Sequence, residues 1–118
     1  MARILIVDDA KFMRTMLRSI LEKANHEIVG EGENGKDAVK LYAETNPDLT
    51  IMDITMPEMS GVEAMKEIRR EFSDAKIIMC SAMGQQKLVV EAIEAGAKDF
   101  IVKPFNESGV LEAIKRIH

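Results

Sequence analysis

The chain of 118 residues has one cysteine, no tryptophan, one tyrosine and three prolines. A lone thiol, Cys80, excludes an internal disulfide, and a reducing, cytoplasmic setting follows as the default. No apolar run approaches membrane-span length. The N-terminal ILIV is too short for a signal-peptide core and is followed at once by a charged pair. No repeat, low-complexity tract or linker interrupts the chain, so one domain over 1–118 is expected, with no output domain attached. The chain also lacks a strong charge of either sign. A net charge of −4 argues against nucleic acid or an anionic membrane as the main partner, because both call for a basic surface.

Apolar residues make up 47% of the chain, enough for one layered core. Four compact apolar runs, ILIV (4–7), LTIM (49–52), IIMC (77–80) and FIV (100–102), are not alternating, as strands covered on both faces of a parallel sheet read. A weaker run, EIV (27–29), reads as an edge strand. Helical periodicity separates them. Met13, Met16, Leu17, Ile20, Leu21 and Ala24 share one face, and Ala38, Leu41 and Tyr42 another. Val62, Met65, Ile68 and Phe72 mark a third helix, Val89, Ala92 and Ile93 a fourth, and Val110, Leu111, Ile114 and Ile117 a fifth. Gly96 is placed to end the fourth. Five βα units predict an α/β doubly wound, flavodoxin-like (βα)5 sandwich with a parallel sheet in the order 2-1-3-4-5. Most of the nine methionines read as core filler. Met56, Met59 and Met83 fall in strand-to-helix loops and either wall a site or cover the end of the sheet.

In such a sheet, ligands bind beyond the carboxyl ends of the strands. Asp8 and Asp9 follow the first strand, Asp53 the third, Ser81 the fourth and Lys103 the fifth. Each has an ordinary reading. Asp8 or Asp9 caps a helix, Asp53 is a turn residue, and Lys103 is a solvated strand end. Together they are harder to dismiss, since neighbouring first and third strands would crowd three carboxylates that repel one another. One lysine and one divalent cation would neutralise them. Mg2+ favours few carboxylates, several waters and a phosphate oxygen. The pattern therefore points to a hard cation, a phosphoryl group and a carboxylate nucleophile.

The stretches ILIVDDAKFMR, DLTIMDITMPEMSGVEAM, AKIIMCSAMGQQ and AGAKDFIVKPF span nearly the whole chain. They resemble the receiver domain of two-component response regulators, and within that family the single-domain chemotaxis regulators. The resemblance implies a phosphoacceptor rather than a conventional enzyme. Asp53 would take a phosphoryl group from a histidine kinase, promoting its own Mg2+-dependent phosphorylation and dephosphorylation. Mg2+ would be held by Asp9, by Asp8 mainly through water, by Asp53 and by the backbone carbonyl of Thr55. Ser81 and Lys103 would bind phosphoryl oxygens, with Lys103–Pro104 a cis peptide. Ser81 and Phe100 would form the switch, and Phe100 has no phenolic hydroxyl to contribute. Thr55 and Met83 would tune dephosphorylation. A face comprising Gln85, Leu88, Phe100, Val102, Ala113 and Arg116 would meet the partner, with Leu88 also open to reading as helix-edge burial. Implied partners are the kinase, a flagellar motor switch protein and a phosphatase, with the chain itself a monomer. An alternative within the family is a phosphorelay intermediate that passes phosphate to another histidine protein.

Two further readings compete. Gly30-Glu31-Gly32-Glu33-Asn34-Gly35 has the G-x-G-x-x-G spacing of a dinucleotide-binding oxidoreductase, with Asp53 about twenty residues on. However, it follows the most polar strand, and Glu31 and Glu33 would repel a pyrophosphate. It reads better as a loop in which Asn34 caps the second helix and the glycines permit a tight turn. The run from Gly30 to Lys36 also approaches a P-loop, but Asp37 stands where Ser or Thr is needed. A flavin-binding module would want a Ser/Thr-rich phosphate loop after the first strand, where the sequence is DDAK.

Overall fold

The computed structural model describes residues 1–117. Its elements alternate as β1 (Arg3–Val7), α1 (Lys11–Lys23), β2 (Glu27–Gly32), α2 (Gly35–Thr45), β3 (Leu49–Asp53), α3 (Gly61–Glu71), β4 (Ile77–Ser81), α4 (Gln86–Glu94), β5 (Asp99–Val102) and α5 (Glu107–Ile117). The strands form one sheet in the order β2-β1-β3-β4-β5, and every neighbouring pair is parallel. This is the expected flavodoxin-like arrangement.

Strand alternation sends successive side chains to opposite faces, so each central strand feeds two cores. Leu5, Val7, Met52, Ile77 and Met79 pack with Tyr42, Val62, Met65, Ile68 and Ala92 from α2, α3 and α4. Ile4, Ile6, Ile51, Ile78 and Cys80 pack with Leu17, Leu21, Val110 and Ile114 from α1 and α5. All of β3 and β4 is buried. Continuous apolar runs at these positions reflect cover on both faces.

The edges depart from the expected pattern. β2 extends to Gly32 and so takes in half of GEGENG, leaving only Glu33 and Asn34 before α2. None of Gly30, Gly32 and Gly35 has a positive φ. Gly35 is instead required by close approach, since a Cβ there would lie 2.5 Å from the Met59 carbonyl oxygen. Asn34 does cap α2, accepting a hydrogen bond from the Asp37 N–H at 2.8 Å. At the other edge, FIV is not covered on both faces. Ile101 is buried, but Phe100 and Val102 are each 41% exposed. Ile93, assigned to the core face of α4, is also exposed, because the short edge strand leaves that part of the helix overhanging. Gly96, with φ +116°, follows the end of α4 as expected.

Candidate functional site

The chemistry-bearing residues meet where β1, β3, β4 and β5 end. Asp53 is the last residue of β3 and Ser81 the last of β4, while Asp8 follows β1 and Lys103 follows β5. Pairing continues past the strand ends and holds these residues in place. The Asp8 N–H donates to the Gly32 carbonyl at 3.0 Å, and the Ile54 N–H to the Cys80 carbonyl at 2.9 Å. The Lys103 N–H donates to the Ser81 carbonyl at 2.7 Å, and the Lys103–Pro104 peptide is cis.

Asp8, Asp53 and Ser81 are buried and Asp9 is exposed. The Lys103 ammonium lies 2.8 Å from Asp8 Oδ2 and 3.3 Å from Asp53 Oδ2. Asp8, Asp9 and Asp53 each bring a carboxylate oxygen within 4.8 Å of the others, a set that could hold a metal ion. All three donors are hard anionic oxygens and the lysine leaves two charges unbalanced, so the residues fit a divalent hard cation. Burial raises the Asp53 carboxyl above its ordinary value; Lys103 opposes that shift, Asp8 adds to it, and the net direction is upward. Burial alone would lower the Lys103 ammonium, but its hydrogen bond to Asp8 and the charges of Asp53 and Asp8 outweigh burial and raise it.

Neither Asp8 nor Asp9 caps α1. The N-cap is Ala10, without a side-chain bond, and Asp8 Oδ1 accepts from the Ala10 N–H at 2.9 Å. The Thr55 N–H reaches Asp53 Oδ1 at 3.4 Å. Met83 is exposed and Met56 buried, with Met59 between them in exposure.

The expected partner face divides. Phe100 and Val102 are exposed at the β5 edge, beside an apolar groove of about 580 Å³ lined also by Val89, Val90 and Ile93. Arg116 is exposed and ion-paired to Asp99 at 2.7 Å. Leu88 is half-buried against the core, in line with its helix-edge reading. Ala113 does not belong to this face: it is fully buried, one turn from Val110 and beside Ile114 on the core stripe of α5. Gln85 is half-buried with both ends of its amide engaged. Its Oε1 accepts from the Ala82 N–H at 2.6 Å, and its Nε2 donates to Thr55 Oγ1 at 3.0 Å.

Four supporting residues were not anticipated. Gly61 packs so closely that a Cβ would lie 2.0 Å from the Asp53 carbonyl oxygen. Ser60 and Glu63 form a capping box at the start of α3, which the S-x-x-E spacing of SGVE could have signalled. Arg14 is buried and its Nη1 donates to the Asp8 carbonyl at 2.7 Å. An arginine in an amphipathic helix carries no such signal.

Residues 4–115 match the model of the response regulator receiver domain. The chain belongs to this family. The receiver is 60% identical to the chemotaxis protein CheY of Thermotoga maritima over 98% of this chain and 96% of that one. It is 62% identical to the Bacillus subtilis protein of the same name, over 97% and 95% of the two chains. Among solved structures, the CheX–CheY–BeF3–Mg2+ complex from Borrelia burgdorferi is similar. It has a TM-score of 0.93 at 35% identity and covers 98% of the receiver and 87% of that chain.

Proposed function

We propose that this receiver is a single-domain chemotaxis response regulator that accepts a phosphoryl group on Asp53 from a histidine kinase. The observation that carries the reading is the buried Asp53 carboxylate at the end of β3, 3.3 Å from Lys103 and beside the carboxylates of Asp8 and Asp9. Mg2+ would be held by Asp8, Asp9, Asp53 and the Thr55 carbonyl, and would supply charge neutralisation for the phosphoryl oxygens. The Borrelia relative's complex with Mg2+, BeF3 and CheX supports that cation and a second protein as partner.

The chain's own groups do the rest by position and charge. A carboxylate oxygen of Asp53 bonds to phosphorus as the P–N bond of the kinase phosphohistidine breaks, and the imidazole leaves with the electron pair. Lys103 and the Ser81 hydroxyl meet the equatorial oxygens. Thr55 and Met83 border the route of hydrolytic water and tune the lifetime of the acyl phosphate. Drawing Ser81 toward the phosphoryl group opens space for Phe100, which leaves the exposed β5 edge. The altered face of α4, β5 and α5 then binds the flagellar motor switch, with a phosphatase as a further partner. The reading places the receiver in the cytoplasm as a monomer. No helix among the described residues is long and apolar enough to cross a membrane.

Acetyl phosphate with Mg2+ should add one phosphoryl mass to the wild type and none to Asp53→Asn. Unchanged labelling of the variant would refute the acceptor. Binding to a motor-switch peptide should tighten on phosphorylation. Equal affinity in both states would remove the motor role and leave the acceptor intact. Onward transfer to a histidine protein would favour the relay.

A further inference from the structure

Glu31 of GEGENG is ion-paired to both arginines of α1, and Glu33 lies at the margin of the same network. Arg14 directs three nitrogens at three acceptors. Nη1 donates to the Asp8 carbonyl at 2.7 Å, Nε donates to Glu31 Oε1 at 3.1 Å, and Nη2 lies 3.7 Å from Glu33 Oε1. Its side chain is 9% exposed. The second oxygen of Glu31 is taken by Arg18 at 2.7 Å, and Arg18 is held in turn by Glu22 at 2.9 Å. Glu31 is thus clasped on both oxygens and cannot swing away from Arg14. Partial burial would raise the Glu31 carboxyl, but the hydrogen bonds and charges of Arg18 and Arg14 outweigh it and hold it below the ordinary range.

Asp8 is correspondingly fixed at three points besides the Lys103 ammonium on its Oδ2. Its N–H bonds the Gly32 carbonyl at 3.0 Å, its Oδ1 accepts from the Ala10 N–H at 2.9 Å, and its carbonyl accepts from Arg14. The first and third of these lead to β2, directly or through Arg14 and Glu31. A planar guanidinium suits this task, because one rigid fork bonds a carboxylate and a carbonyl at once; an ammonium cannot reproduce that geometry.

We propose that Arg14, held by Glu31, is a positioning residue for the metal site: it locks the Asp8 peptide and so aims the Asp8 and Asp9 carboxylates toward Asp53. The inference rests on the reading of Asp8, Asp9 and Asp53 as the Mg2+ ligands. Partners that orient ligating groups typically govern about 10- to 100-fold in metal affinity.

Mg2+ binding by calorimetry, with no phosphodonor present, tests this on the wild type, Arg14→Lys and Glu31→Gln. Circular dichroism verifies that each is folded. Both variants should bind Mg2+ about 10-fold more weakly, with reduced Mg2+-induced amide shifts at Asp9. Wild-type affinity in the folded variants would overturn the positioning role and leave Arg14 a support of stability alone. If Arg14→Lys does not fold, Glu31→Gln, which keeps the guanidinium but removes the charge that holds it against the Asp8 carbonyl, decides the matter by itself. A wild type that binds no Mg2+ would overturn the metal reading and the positioning role with it. That result is distinct from wild-type binding that persists unchanged in the variants.

Discussion

Replacing Asp53 with asparagine should stabilise the metal-free protein, although it removes an ion pair. At an effective permittivity of about 20, the attraction between Asp53 and Lys103 across 3.3 Å is about 5 kcal/mol. Repulsion from Asp8, with oxygens within 4.8 Å, is about 3.5 kcal/mol or more on the same footing. The exposed Asp9 adds half as much again after solvent screening, roughly 2 kcal/mol. Charge terms therefore nearly cancel, and the cost of burying the carboxylate decides the sign. The amide keeps the shape and an acceptor for the Thr55 N–H. A gain of about 1 kcal/mol follows, or roughly 4 °C in Tm for a domain of this size. The pH dependence has a fixed sign. The folded carboxyl is raised, so its protonated form favours folding. That contribution is full below the unfolded value and is lost as pH rises through the folded one. Wild type in EDTA should therefore lose stability relative to Asp53→Asn over that interval. Added Mg2+ should close the gap, since a ligand of the folded state stabilises by mass action. Calorimetric melts with EDTA and with Mg2+ across that pH range provide the check. A lower Tm for Asp53→Asn in EDTA at neutral pH would refute the reasoning, because it would show that the Lys103 pair outweighs repulsion and burial together.

Gly61→Ala should cost about 3 kcal/mol in urea denaturation, because the added methyl meets the backbone carbonyl of Asp53 and a β-strand cannot yield; a loss under about 0.5 kcal/mol would contradict the close approach. Ser60→Ala should cost about 1 kcal/mol by opening the capping box of α3, measured the same way, with no change in the midpoint as the adverse result. Cys80, fully buried and with its thiol pushed up to about 12 by burial, should resist a maleimide at pH 8 in the folded protein and react on unfolding. Rapid native labelling would show that the β4 core opens far more readily than its packing implies.

The legible parts of the fold are those where one physical demand dominates. β3 and β4 are buried on both faces, so apart from Thr50 and the strand-end Asp53 and Ser81 their side chains are apolar, and the runs read as strands. The site was legible for a related reason: parallel strands align their carboxyl ends, so chain order alone places Asp8, Asp53, Ser81 and Lys103 together. Errors collect where burial depends on what lies beyond the element. Ile93 keeps helical spacing with Val89, but β5 beneath it is a four-residue edge strand. Ala113 sits at the i+3 position from Val110, and a small side chain gives a weak hydropathy signal for a fully buried site. Gln85 looked like a surface amide because nothing in its neighbours foretold a bond to Thr55, thirty residues away. Arg14 was hidden for the same reason, its partners lying on β2 and on the turn after β1.

The two edges of the sheet carry opposite solutions to one problem, since an edge strand exposes unpaired backbone and uncovered side chains. At β2 the edge is polar, and Glu31 is tied to Arg14 and Arg18 of α1 in a network that reaches the Asp8 carbonyl through Arg14. At β5 the edge is apolar and open, with Phe100 41% exposed above a groove rather than packed. A phenylalanine side chain buries roughly 200 Å², so covering the exposed part removes roughly 80 Å² from water, about 2 kcal/mol. A hydroxyl bonded to a charged phosphoryl oxygen contributes a similar amount, about 1.5–3 kcal/mol. Under the proposed mechanism, inward movement of Ser81 and burial of Phe100 are therefore matched in size. A phosphoryl group that engages Ser81 in only one of the two arrangements can shift a balance of that magnitude by one to two orders of magnitude in population. Under the proposed mechanism such a switch needs a fixed β2 edge and a small bias at the β5 edge, because metal ligands held fast on one side would leave the phosphoryl group free to act on the other.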